Sequence, residues 1–123
     1  MERASAVSLV IMKVLNIDEV EGEKLGENAI RHMLVYSKNL MLMYSEAEPG
    51  GPPFAHSHPH EQLGFILQGT SELTASGNTV ILRAGSSFLL EPNEYHEVRS
   101  VGNETVKVLD IFHPYREDYV TSK

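Results

Sequence analysis

Turn-forming residues interrupt this chain so often that a long helix has no room to form. Short apolar runs alternate with clusters of Gly, Pro, Asn and Ser along nearly the whole length, the pattern of an all-β chain. Ala29–Tyr36 and Asn39–Glu48 read as strands around a Ser37-Lys38 turn. Glu48 to Pro53 is a loop, where Pro52 and Pro53 stop any helix. Phe54–His60, Gln62–Gln68, Thr70–Ala75, Thr79–Arg83 and Ser87–Leu90 read as further extended segments. Tyr95–Val101 and Thr105–Phe112 read as a hairpin across Gly102-Asn103. Residues 18–30 are the only helix candidate, weakened by Gly22 and Gly26, and residues 16–28 fit a loop or short turn better. The tail from Pro114 reads as a terminal turn or arm. Strands this short and this closely spaced predict a sandwich or a small barrel.

One stretch carries chemistry. His56-Ser57-His58-Pro59-His60-Glu61-Gln62 is followed by Gly69 and later by Pro92 and His96. Side chains two apart on an extended chain point the same way, so His56 and His58 can hold one ion from a single strand. Gln62 is an even number of residues further on and faces the same point if the chain stays extended, whereas Glu61 has the opposite parity. His96 supplies a third imidazole from a distant strand. Three imidazoles and one oxygen suit a divalent metal ion such as Zn, Ni, Mn or Fe and leave positions open for a substrate. His60 is read as lying beside the site, and His32 and His113 have no recognisable partners.

These residues resemble the two motifs of the cupin superfamily: Gly51, His56, His58, Gln62 and Gly69 in the first, Gly85, Pro92 and His96 in the second. The resemblance implies a double-stranded β-helix, or jelly roll, with a metal inside the barrel. Gln62 stands where most cupins carry Glu. A neutral amide binds a metal more weakly and leaves it a stronger Lewis acid. With the closing segment from Leu109 to Tyr119, the pattern is similar to the small pectin-degradation cupins called KdgF. That resemblance implies opening of the ring of 4,5-unsaturated monouronates to linear 5-keto-4-deoxyuronates. It also implies a homodimer, a barrel at about residues 39–113 and a single domain over residues 16–123.

Parity in the last strand is an independent argument. Val106, Val108, Asp110 and Phe112 share one face, so Asp110 stands in an apolar row. Turned inward, it is a carboxylate poised to exchange protons with a bound substrate, or a structural group bonded to a turn or to a ligand His. Arg116 is a candidate to clamp a carboxylate, and Phe112 a candidate pocket wall. Two other functions fit the same residues: a metal-dependent dioxygenase, and a non-catalytic module that binds a sugar or small acid.

Composition narrows the partners. A formal net charge of −7 argues against nucleic acid and anionic membranes, but not against an anionic sugar held by local cations. The chain has no cysteine, which fits a cytoplasmic setting, and no apolar run long enough to span a bilayer. Residues 1–15 read as an N-terminal extension or, from Met12 on, a first strand. Arg3 and Val7–Met12 weakly imitate a signal peptide, but Ser8 and Lys13 break the imitation.

Overall fold

The computed structural model describes residues 12–121. Its strands are β1 (Glu23–Leu25), β2 (Ala29–Tyr36), β3 (Met41–Ala47), β4 (Phe54–His56), β5 (Glu61–Gln68), β6 (Thr70–Ala75), β7 (Asn78–Arg83), β8 (Ser87–Leu90), β9 (His96–Val101) and β10 (Val106–His113). They form a six-stranded sheet in the order β1-β2-β3-β10-β5-β8 and a four-stranded sheet in the order β4-β9-β6-β7. Every pairing is antiparallel. This is the expected jelly roll.

The alternation read from the sequence sets which side chains face in. On β5, Gln62, Gly64 and Ile66 are buried while Glu61, Leu63, Phe65 and Leu67 are exposed. Ile66 and Leu90 from the large sheet meet Leu73 and Leu82 from the small one, closing the space between the sheets. A second cluster, Met33, Met41, Met43 and Phe112, lies under Tyr119. Burying side chains of this size stabilises by roughly 1.5–3 kcal/mol each. Gly69 ends β5 at φ +90, and a Cβ there would lie 2.8 Å from the Cα of Val106, so this turn accepts only glycine.

Four features refine or overturn the sequence reading. Met12–Asn16 are exposed and form no strand, and Ile17–Glu19 is a single 3-10 turn capped by Asn16. The polar stretch before Ala29 holds a short strand, β1, whose Leu25 pairs with Ala29. The tail folds into a one-turn helix, α1 (Glu117–Thr121). β9 and β10 are not a hairpin: they belong to different sheets. The Gly102 turn, at φ +83, is an arch from one sheet to the other, because the inward sides of both strands must face the same interior. The signal-peptide and extension readings concern residues 1–15, of which 1–11 lie outside the described residues.

Candidate metal centre

β4 and β9 pair so that His56 stands opposite His96. The strand does not continue to His60. β4 stops at His56, and the chain bends at Pro59 and His60. Extended parity therefore does not carry across from His56 to Gln62, yet both side chains reach the same place, because β5 re-enters in the opposite sheet with Gln62 on its inner face. The ligand-capable nitrogens of His56, His58 and His96 all lie within 4.8 Å of one another.

The hydrogen bonds fix which nitrogens face inward. His58 Nδ1 is 3.0 Å from the carbonyl of His60, and His96 Nδ1 is 2.9 Å from that of Glu94. A carbonyl only accepts, so each Nδ1 carries a proton and each ring turns its Nε2 inward. Burial, then the neighbouring rings and Arg116, lower the pKa of His56 to about 4. Burial and Arg116 also lower that of His58. Both are thus neutral at pH 7, the state a metal requires.

Gln62 completes the argument. Its Nε2 donates to Asp110 Oδ1 at 2.9 Å, which aims its Oε1 at His58 Nε2, 3.0 Å away. Two lone pairs then face each other at hydrogen-bond distance with no proton between them. A cation shared by the two removes the conflict. The residues present fit a divalent metal ion held by His56, His58, Gln62 and His96.

Asp110 is buried, between Gly64 and Met43 on the neighbouring strands. Gly64 leaves room for the ring of Phe88, which a Cβ there would strike. Desolvation raises the Asp110 pKa to about 6, against the opposing pull of its bond from Gln62. Arg116 is 5% exposed. It donates to both oxygens of Asp118, at 3.1 and 2.8 Å, and leaves its buried Nη1 without a partner. Phe112 faces the His58 ring edge-on, at 5.8 Å. All but His58 of the seven residues singled out from the sequence line one cavity of about 420 Å³.

His60 offers its carbonyl to His58. His113 is exposed on the outer side of β10, and His32 packs beside Tyr44. Sequence reasoning missed two residues. Tyr119 lies between the guanidiniums of Arg31 and Arg116, 3.9 and 3.8 Å from its ring centre, and Arg31 lines the same cavity. The alternation Ala29, Arg31, Met33 on β2 was the available signal for Arg31. Nothing in the sequence marks Tyr119 before α1 is placed.

A cupin domain model matches residues 43–112. The pectin degradation protein KdgF of Dickeya dadantii is 30% identical over 104 residues, spanning 84% of this chain and 94% of that protein. The chain belongs to the cupin superfamily and, within it, to the KdgF family. Among solved structures, KdgF from Halomonas sp. superposes on this cupin with a TM-score of 0.80 at 22% identity, over 89% of this chain and 99% of that one. An RmlC-like cupin from Shewanella frigidimarina gives 0.76 at 27% identity, over 83% and 90%. The arrangement of strands around the cavity is thus shared with both. No helix among the described residues is long and apolar enough to cross a membrane.

Proposed function

We propose that this cupin is a metal-dependent enzyme that linearises 4,5-unsaturated monouronates, acting in pectin or alginate breakdown in the cytoplasm. The observation that carries the proposal is the link from the three-imidazole cluster through Gln62 to a buried carboxylate, Asp110, in a cavity that also holds the free Nη1 of Arg116. Similarity to the pectin degradation protein of Dickeya dadantii supports the substrate class.

The substrate is a cyclic enol ether with a hemiacetal carbon. Opening it removes the proton of the C1 hydroxyl, forms the C1 carbonyl and breaks the bond from C1 to the ring oxygen. The released electrons make an enolate, which takes a proton at C4. Nothing is oxidised or reduced. A bound divalent ion would supply Lewis-acid stabilisation of the developing negative charge. Asp110 takes the hydroxyl proton and returns it to C4. A pKa near 6 leaves it mostly ionised at neutral pH, and still basic enough to accept. Gln62 holds Asp110 in place through its amide N–H. Arg116, fixed by Asp118 and stacked on Tyr119, points Nη1 at the substrate carboxylate, and Phe112 forms the apolar wall.

The test is loss of the unsaturated-uronate absorbance on adding lyase-generated monomer. Acceleration above the spontaneous rate, abolished by chelation and by Asp110→Asn, supports the proposal. Unchanged turnover in Asp110→Asn removes Asp110 from the chemistry. Bound metal without acceleration makes the protein a binding module.

The enzyme is proposed to act as a homodimer. Leu63, Phe65, Leu67, Leu89 and Ile111 are 38–50% exposed on the outer face of the large sheet, and Leu63 pairs with both Leu89 and Ile111. Together they present roughly 400 Å² of apolar surface, in the range of the largest patch on a typical monomer. That is about half of what each partner buries in a standard interface. A second copy covers this face. Phe65→Lys is expected to give a monomer by light scattering, and a monomeric wild type refutes the dimer.

A further inference from the structure

The cavity is longer than the metal centre needs. Its metal end is the row Phe112, Gln62 and His96. Four residues further along β10, Val108 lies level with Ser45, and Ser45 pairs with Arg31 on β2. Four residues further along β9 from His96, Ser100 pairs with Ser71 on β6. In both sheets the step is about 13 Å along the strands, so these two groups face each other at one depth of the same barrel. Arg31, Ser45, Ser71 and Ser100 all line the cavity.

Three serines stand at this far end among Leu82, Val106 and Val108, where a jelly-roll interior is expected to be apolar throughout. Ser71 is 1% exposed, and its Oγ has no hydrogen-bond partner. A buried hydroxyl left unpaired costs free energy unless something meets it. Arg31 enters the cavity from this depth, but its Nε is tied to Glu23 at 3.0 Å and its guanidinium lies over Tyr119, back toward Arg116, so the far end is left to the serines.

We propose that Ser45, Ser71 and Ser100 form a second, distal polar subsite that takes the hydroxylated end of an acidic sugar whose other end lies at the metal row. The subsite selects a polyhydroxy acid over a simple carboxylate. This deepens the uronate reading by giving the cavity a second point of recognition, and it rests on that reading for the ligand class.

The test uses zinc-loaded protein and two non-reacting probes, galacturonate and acetate, measured by calorimetry. Acetate offers the carboxylate without the hydroxyls. Ser71→Ala and Ser100→Ala are each expected to weaken galacturonate by about 3–10-fold and to leave acetate within twofold. Melting temperature and zinc content equal to wild type establish that the variants are folded. Galacturonate affinity within twofold of wild type in Ser71→Ala overturns the subsite, leaving the hydroxyl met by water only. Equal weakening of both probes overturns it too, because the loss then lies at the carboxylate end. Neither probe turns over, so the result stands apart from whether unsaturated uronates are linearised.

Discussion

Gln62→Glu would restore the carboxylate that most cupins carry, and the structure opposes it. The amide N–H of Gln62 donates to Asp110 Oδ1 at 2.9 Å. Glutamate has no such proton, so the substitution sets two carboxylate oxygens at that distance. With both ionised, they repel by about 6 kcal/mol at an effective dielectric of 20. A hydrogen bond to a charged acceptor, worth ~1.5–3 kcal/mol, is lost as well. The repulsion alone corresponds to about four pKa units. The pair therefore keeps one shared proton through neutral pH, as closely placed carboxylates do. A metal that takes the introduced carboxylate as a ligand favours the ionised pair by its own charge and draws that proton off. In the wild type nothing comparable is released, since an amide does not ionise and the burial-lowered His56 and His58 are already neutral. Calorimetric titration of zinc into metal-free protein at pH 7.5, in buffers of different ionisation enthalpy, is expected to show about one proton released per ion in Gln62→Glu and close to none in wild type. Turnover at neutral pH is expected to fall, because a carboxylate ligand leaves the bound ion a weaker Lewis acid than the amide does. Equal proton release in the two proteins would refute the reasoning.

Chelating the metal is expected to lower the melting temperature, with restoration by zinc, because an ion that binds only the folded state stabilises it by mass action. Differential scanning calorimetry with and without chelator checks this. Met41→Ala, at a site 1% exposed beneath Tyr119, is expected to cost about 2–5 kcal/mol in urea denaturation. Arg116 holds the Asp118 carboxyl below its usual range. A lowered carboxylate pKa stabilises the fold above the unfolded value and loses that contribution as pH falls through the folded one. Denaturation from pH 6 down to 2 is therefore expected to show a steeper loss below pH 3.8 in wild type than in Asp118→Asn, with a modest amplitude because Asp118 is largely exposed.

The strands were legible because Gly and Pro mark their ends and alternation marks their faces. Parity placed Asp110 on the inner face of β10 among apolar neighbours, and the structure puts it there. The same local reading failed at Gly102-Asn103. That dipeptide suits a hairpin, but which sheet β10 joins is decided by its long-range pairing with β3 and β5. The convergence of Gln62 on the imidazoles was anticipated for a reason that does not hold, since the chain bends before it. What brings it there is the packing of one sheet on the other. Tyr119 and Arg31 were invisible for a similar reason: they meet across most of the length of the chain, and no local period records a stack of that kind.

The candidate ligands do not come from one sheet. His56 and His96 stand on the four-stranded sheet, Gln62 on the six-stranded one. A bound ion would thus be a cross-link between the two halves of the sandwich in a chain without a single cysteine. It would close loops as a disulfide does, but reversibly, with its strength set by the free metal concentration instead of the redox potential. Starvation for metal would then reach this protein twice, as lost chemistry and as a loosened grip between its sheets.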